Sequence, residues 1–92
     1  MNLDLTGKTA LVCGSTQGLG YASAVELALL GCNIVLMARN EDRLKAAAAT
    51  LNISQGQKHT WLVADFTNTG AVKVAVDDFV KKNTIHILVN NT

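Results

Sequence analysis

Three glycines fall within one short stretch, Gly14-Ser15-Thr16-Gln17-Gly18-Leu19-Gly20, where the chain passes from an apolar run into a helix-patterned one. Ala10-Leu11-Val12-Cys13 enters the stretch, and Tyr21 to Leu30 leaves it. A strand that turns sharply into a helix needs backbone free of side chains, and such backbone lets an anion reach the first amides of the helix. Those amides have no partner inside the helix and lie at the positive end of its dipole, so they favour phosphate. The chemistry suggested here is the holding of a dinucleotide's pyrophosphate. Glycines also mark ordinary tight turns, so this reading depends on the rest of the chain.

Three later apolar runs end in polar groups. Ile34-Val35-Leu36-Met37-Ala38 is followed by Arg39-Asn40, Thr60-Trp61-Leu62-Val63-Ala64 by Asp65-Phe66, and the run from Ile85 to Val89 by Asn90-Asn91-Thr92. If the runs are parallel strands, their carboxyl ends share one sheet edge, and Gly14, Arg39, Asp65 and Asn91 converge on one crevice. Polar residues cap most strands, so the joint placement carries the weight.

The elements that must position these residues emerge from periodicity. Lys8 to Cys13 reads as the first strand, and Ala24, Val25, Leu27, Ala28 and Leu30 give the next segment a broad helical apolar face that Gly31 ends. Ile34 to Ala38 is the second strand, and Glu41 opens a helix whose Leu44, Ala48 and Leu51 recur at helical spacing. Ser54-Gln55-Gly56-Gln57 is a polar turn before the third strand, Thr60 to Ala64. Thr67-Asn68-Thr69 offers caps for a third helix, with Val72, Val76, Phe79 and Val80 on one face and Asp77, Asp78, Lys81 and Lys82 outward. Ile85 to Val89 is the fourth strand. Strands recurring at roughly 25-residue intervals with helices between them make βαβαβαβ, with parallel strands and right-handed crossovers. The expected fold class is α/β, a Rossmann-like doubly wound parallel sheet of four strands ordered 3-2-1-4.

Composition narrows the function classes. The 92 residues are 49% hydrophobic without proline, which suits one small domain with a packed core. The net charge of +1 is scattered, so neither nucleic acid nor an anionic membrane is an expected partner. The longest apolar stretches are cut by Gly31 and Asn33, far short of the roughly 20 residues a membrane span needs. Met1-Asn2-Leu3-Asp4 has no basic leader character, so a cytoplasmic location is expected. Cys13 closes one strand and Cys32 opens its neighbour, which places the sulfurs at opposite ends of the sheet, beyond the about 7 Å reach of a disulfide. His59 and His86 lack any metal-ligand spacing and are expected on strand edges or faces, so no metal is expected.

The glycine spacing is G-x-x-x-G-x-G, not the common dinucleotide pattern G-x-G-x-x-G. It resembles the short-chain dehydrogenase/reductase family, whose fingerprint is T-G-x-x-x-G-x-G, with Cys13 in place of threonine. Asp65 matches that family's acidic residue near the adenine ring. Asn90-Asn91-Thr92 looks like the start of its N-N-A-G motif, and His86 stands where relatives commonly carry aspartate. The resemblance covers the whole chain, with the motifs in order. It implies hydride transfer between a nicotinamide cofactor and a small carbonyl or alcohol substrate, with 3-oxoacyl thioesters among the possibilities, and a homo-oligomer when full length.

On this resemblance the cofactor is held by Gly14, Ser15, Thr16, Gln17, Gly18, Leu19 and Gly20, with Leu19 acting through its backbone N–H. An acid at the end of the second strand would accept ribose hydroxyls and repel a 2′-phosphate, whereas Arg39, followed by Asn40, offers a guanidinium that clamps phosphate bidentately. NADP is therefore favoured over NAD; the alternative is that Arg39 pairs with Glu41 or Asp42. Asp65 accepts from the adenine amino group, and Phe66 covers the ring; alternatively, Asp65 caps the following helix. Asn91 holds the end of the fourth strand near the nicotinamide ribose.

The family's general acid/base is a tyrosine in Tyr-x-x-x-Lys, aided by a serine and the lysine, which lowers the tyrosine's pKa. Tyr21 is the only tyrosine, Val25 stands four residues later, and Tyr21 reads as a helix-packing residue. No catalytic residue is assigned. Residues 1–92 are thus expected to be the N-terminal part of a Rossmann-like dinucleotide-binding domain, a fragment of a longer enzyme. The alternative is a non-catalytic dinucleotide-binding or truncated module. An uncovered fourth strand predicts marginal stability or self-association.

Overall fold

Short aliphatic runs form the strands of the computed structural model, which describes residues 4–14, 18–65 and 67–90. The order is β1 (Thr9–Cys13), α1 (Gly18–Leu29), β2 (Asn33–Ala38), α2 (Glu41–Thr50), β3 (Thr60–Val63), α3 (Thr69–Lys82) and β4 (Ile87–Asn90). The sheet is ordered β3-β2-β1-β4, and every pairing is parallel, as the expected Rossmann-like fold requires. Leu11 stands between Val35 and Leu88, and Leu36 is beside Trp61. The chain winds outward from β1 through β2 to β3, then returns to the far side of β1. That reversal makes the crevice at the carboxyl ends of β1 and β4 the place where such sheets bind ligands.

Strand side chains alternate between two apolar layers. Ala10, Val12, Ile34 and Leu36 pack under Ala24 and Ala28 of α1 and Leu44, Ala47 and Ala48 of α2. Alanines at the helix contacts let α1 and α2 approach the sheet closely. On the other face, Leu11, Cys13, Val35 and Met37 meet Val72, Val76 and Phe79 of α3. This second layer is thinner, because no residue of α3 is fully buried. Val80, expected on its inner face, is instead 46% exposed.

Local chemistry sets the boundaries. α1 begins at Gly18, three residues before its apolar pattern. It ends before Gly31, whose φ of +96° suits only glycine without strain. Asn40 caps α2 by accepting from the Arg43 N–H at 3.1 Å, and Asn68 caps α3 by accepting from the Ala71 N–H at 3.1 Å. β4 begins at Ile87, not Ile85: Ile85 packs against the second apolar layer, and His86 bonds Thr9 just ahead of the ladder. Gln57, expected in a polar turn, is buried: its Nε2 donates to the Ala28 carbonyl at 2.6 Å, and its Oε1 accepts from the Gln55 N–H. It thereby adds a second donor to a carbonyl near the end of α1 that already accepts from the Gly31 N–H. Both cysteines are free and buried, and burial is the main influence pushing each thiol's pKa up. Among the described residues, no helix is long and apolar enough to cross a membrane.

Candidate dinucleotide-binding edge

Because the strands are parallel, the ends of β1, β2 and β3 lie along one edge. Gly14 follows β1 with a φ of +68°, and its N–H donates to the Met37 carbonyl at 2.8 Å. That amide extends the sheet ladder, so Gly14 supplies the shape of the turn, not a donor to a ligand. Gly18 has a φ of +71°, and a Cβ built there would meet nothing within 4 Å. Its backbone conformation calls for glycine, and the space in front of it is open. Gly20 is buried in the first turn of α1. Leu19 is 76% exposed and contributes nothing to the core, which leaves its backbone as its useful part. Ser15, Thr16, Gln17, Phe66 and Asn91 lie outside the described residues.

Across the edge, the Ala64 N–H donates to the Ala38 carbonyl at 2.9 Å. This bond carries the β2–β3 pairing one step past Ala38↔Val63, so the strand ends that lead into Arg39 and Asp65 are neighbours, and the Arg39 charge is felt weakly at Asp65. Asp65 Oδ1 accepts from the Thr67 hydroxyl at 2.7 Å and from the Thr67 N–H at 2.9 Å. These two bonds, and to a smaller degree the Arg39 charge, hold the carboxyl below its usual pKa. Thr67, expected among the caps of the third helix, instead bonds Asp65, a role that sequence reasoning missed. Its signal is the Asp-x-Thr spacing, in which a carboxylate bonds its own backbone two residues on.

The helix N-termini differ in what is seen of them. Asn40 closes α2 and Asn68 closes α3 with side-chain oxygens, whereas the residues leading into α1 fall outside the described set. Asp65 does not cap α3 itself; it braces the turn ahead of the cap. Asn40 commits its carboxamide oxygen to α2, so its NH2 is the group that faces outward chemistry. Tyr21 packs against the first apolar layer, with its hydroxyl 2.5 Å from the Thr50 hydroxyl, and joins α1 to α2. Among the described residues the edge carries the N-terminus of α1, a cation and a carboxylate acceptor, and no proton-transfer pair.

A family model described as short chain dehydrogenase matches residues 8–92. The chain belongs to the short-chain dehydrogenase family. It is 36% identical over 85 residues to a human protein named inactive hydroxysteroid dehydrogenase-like protein 1, covering 92% of this chain and 26% of that one. It is 33% identical over 88 residues to a 3-oxoacyl-(acyl-carrier-protein) reductase of Chlamydia trachomatis, covering 95% of this chain and 36% of the relative. Among solved structures, L-sorbose reductase from Gluconobacter frateurii, complexed with NADPH and L-sorbose, superposes with a TM-score of 0.87 at 34% identity. That match covers 100% of this chain and 35% of the reductase. The chain therefore spans between about a quarter and about a third of the length of these proteins.

Proposed function

We propose that this chain is the cofactor-holding part of an oxidoreductase that prefers NADP and transfers hydride between the nicotinamide and a small carbonyl or alcohol substrate. The observation that carries the reading is that Arg39 and Asp65 follow the neighbouring strands β2 and β3, on the same edge as Gly14 and the N-terminus of α1. A carboxylate in place of Arg39 would suit the ribose hydroxyls of NAD; a guanidinium suits the extra phosphate of NADP. The open space at Gly18 leaves room for a pyrophosphate against the first turn of α1. The NADPH in the L-sorbose reductase structure supports the same preference.

In this reading the α1 turn grips the pyrophosphate through backbone N–H groups, including that of Leu19, with Ser15, Thr16 and Gln17 in the same loop. Arg39 and the Asn40 NH2 take the 2′-phosphate. Asp65, kept ionised by Thr67, accepts from the adenine amino group, with Phe66 beside the ring and Asn91 near the nicotinamide ribose. The bound nicotinamide supplies the hydride. A 3-oxoacyl thioester is one substrate class that fits, by analogy with the Chlamydia relative. The reading includes a cytoplasmic, homo-oligomeric whole protein of which residues 1–92 are the N-terminal part.

Titration with NADP and NAD tests this. NADP should bind more tightly, and Arg39→Asp should reverse the order; an unchanged ratio would reduce Arg39 to a loop residue. A second reading, a dinucleotide-binding module without turnover, is favoured by the likeness to the human relative, whose name calls it inactive. A Tyr-x-x-x-Lys motif beyond this stretch in a longer protein, with hydride transfer to a ketone, decides for the enzyme. Tight cofactor binding without turnover decides for the module.

A further inference from the structure

We propose that His59 and His86 are a pair of acid-sensitive latches, each tying an outer strand of the sheet to an inner one through an imidazole nitrogen that accepts a backbone N–H. They sit at the amino edge, opposite Gly14, Arg39 and Asp65.

The two histidines occupy equivalent places. His86 immediately precedes β4; its Nδ1 accepts from the Thr9 N–H at 3.0 Å, and its own N–H donates to the Thr9 carbonyl at 2.9 Å. Both backbone groups of Thr9, the first residue of β1, are thus held by one residue. His59 immediately precedes β3, and its Nδ1 accepts from the Ile34 N–H of β2, also at 3.0 Å. Its Nε2 lies 2.7 Å from the Asn52 carbonyl, which accepts only, so Nε2 carries the proton and Nδ1 the lone pair. The β2–β3 pairing starts at Val35↔Thr60, and the β1–β4 pairing starts at Ala10↔Ile87. Each ring therefore bonds the amide one residue ahead of the ladder and acts as an extra rung made from a side chain.

Such a rung exists only while the ring is neutral. An imidazolium donates from both nitrogens and accepts at neither, so a second proton sets an N–H against an N–H. The bond is lost, and an amide at a strand start is left unsatisfied, in the case of Ile34 beneath a fully buried side chain. The surrounding charges do not compensate. Lys58 adjoins His59, Lys8 adjoins Thr9, and Lys81 and Lys82 end α3 ahead of His86. The Asp4 carboxylate is bonded to Thr6, and Glu26 on α1 and Asp77 and Asp78 on α3 are exposed. Neither ring bonds a carboxylate among the described residues. Acid strong enough to protonate the rings therefore loosens the outer strands at their starts.

The test is amide hydrogen exchange at Thr9 and Ile34 in the 92-residue chain, with each rate divided by its intrinsic value. It runs downward from about pH 7.5, with nitrogen-15 shifts of the two rings followed in the same samples. Protection at both amides should fall severalfold in step with the appearance of the doubly protonated rings. Asparagine places its Oδ1 close to where Nδ1 stands and does not titrate. In His59→Asn the Ile34 response should flatten, and in His86→Asn the Thr9 response should. Equal responses in the wild type and these variants overturn the proposal. So does a parallel fall at the mid-strand amide of Leu36, which would mean general acid unfolding. Should a variant fail to fold, nitrogen-15 shifts of the wild-type rings decide: a bare Nδ1 at about pH 7.5 supports the latches, and a protonated one overturns them.

Discussion

A methyl group at residue 31 would lie 2.6 Å from the Thr6 hydroxyl and would have to adopt a φ of +96°. Gly31→Ala should therefore cost about 1–3 kcal/mol, read from urea unfolding. Gly18 is the useful contrast, because it shares a positive φ but faces open space. Gly18→Ala should cost only about 1 kcal/mol in stability while weakening any phosphate held at the turn. Asp65 makes a prediction about acid. Its folded carboxyl is held below the value it has in the unfolded chain, so its contribution is present above the unfolded value and is lost as pH falls through the folded one. Thr67→Val removes the larger cause and should shrink this acid-side loss in a pH series of unfolding midpoints. Glycine positions, Arg39 and Asp65 were legible from residue type and place in the strand pattern. The roles of Thr67 and Gln57 were less so: Thr67 bonds Asp65 locally where a helix cap was expected, and Gln57 reaches the distant Ala28 carbonyl through a turn conformation that its own stretch does not reveal.

At the scale of elements, two asparagine caps sit on helices of different anchorage. α2 buries Leu44, Ala47 and Ala48, whereas α3 buries nothing fully. Removing either cap costs about 1 kcal/mol, but the loss should be felt differently. Asn40→Ala should lower global stability with α2 still formed, since its packing holds it. Asn68→Ala should fray the first turn of α3 locally, seen as faster exchange there than in α2. An equal, purely global effect of the two substitutions would contradict the unequal layers. All seven elements were legible, since hydrophobic runs and helical periodicity report which side chains meet a core. Their ends were less so. The start of α1 is set by Gly18-Leu19-Gly20, which show no apolar period, and the start of β4 by the bonds of His86 to Thr9.

The whole molecule has one sheet with unequal covers and two outer strands. β3 is braced by α2, but the outer edge of β4 pairs with no strand among the described residues, and Leu88 on it is 65% exposed. An open edge beside an apolar side chain recruits further strands. The 92-residue chain on its own should therefore self-associate, with a sedimentation coefficient that rises with concentration. A concentration-independent monomer with slowly exchanging β4 amides would contradict this. The bond from the Gly14 N–H to the Met37 carbonyl has a further consequence. It welds the pyrophosphate turn to the strand that ends in Arg39, so on the proposed reading the two phosphate grips cannot drift apart. They act as the jaws of a caliper with a set gap. Nucleotide choice then becomes partly a measurement of length. Adenosine 2′-phosphate alone can fill one jaw only, and should compete with NADP far more weakly than its shared chemistry would suggest.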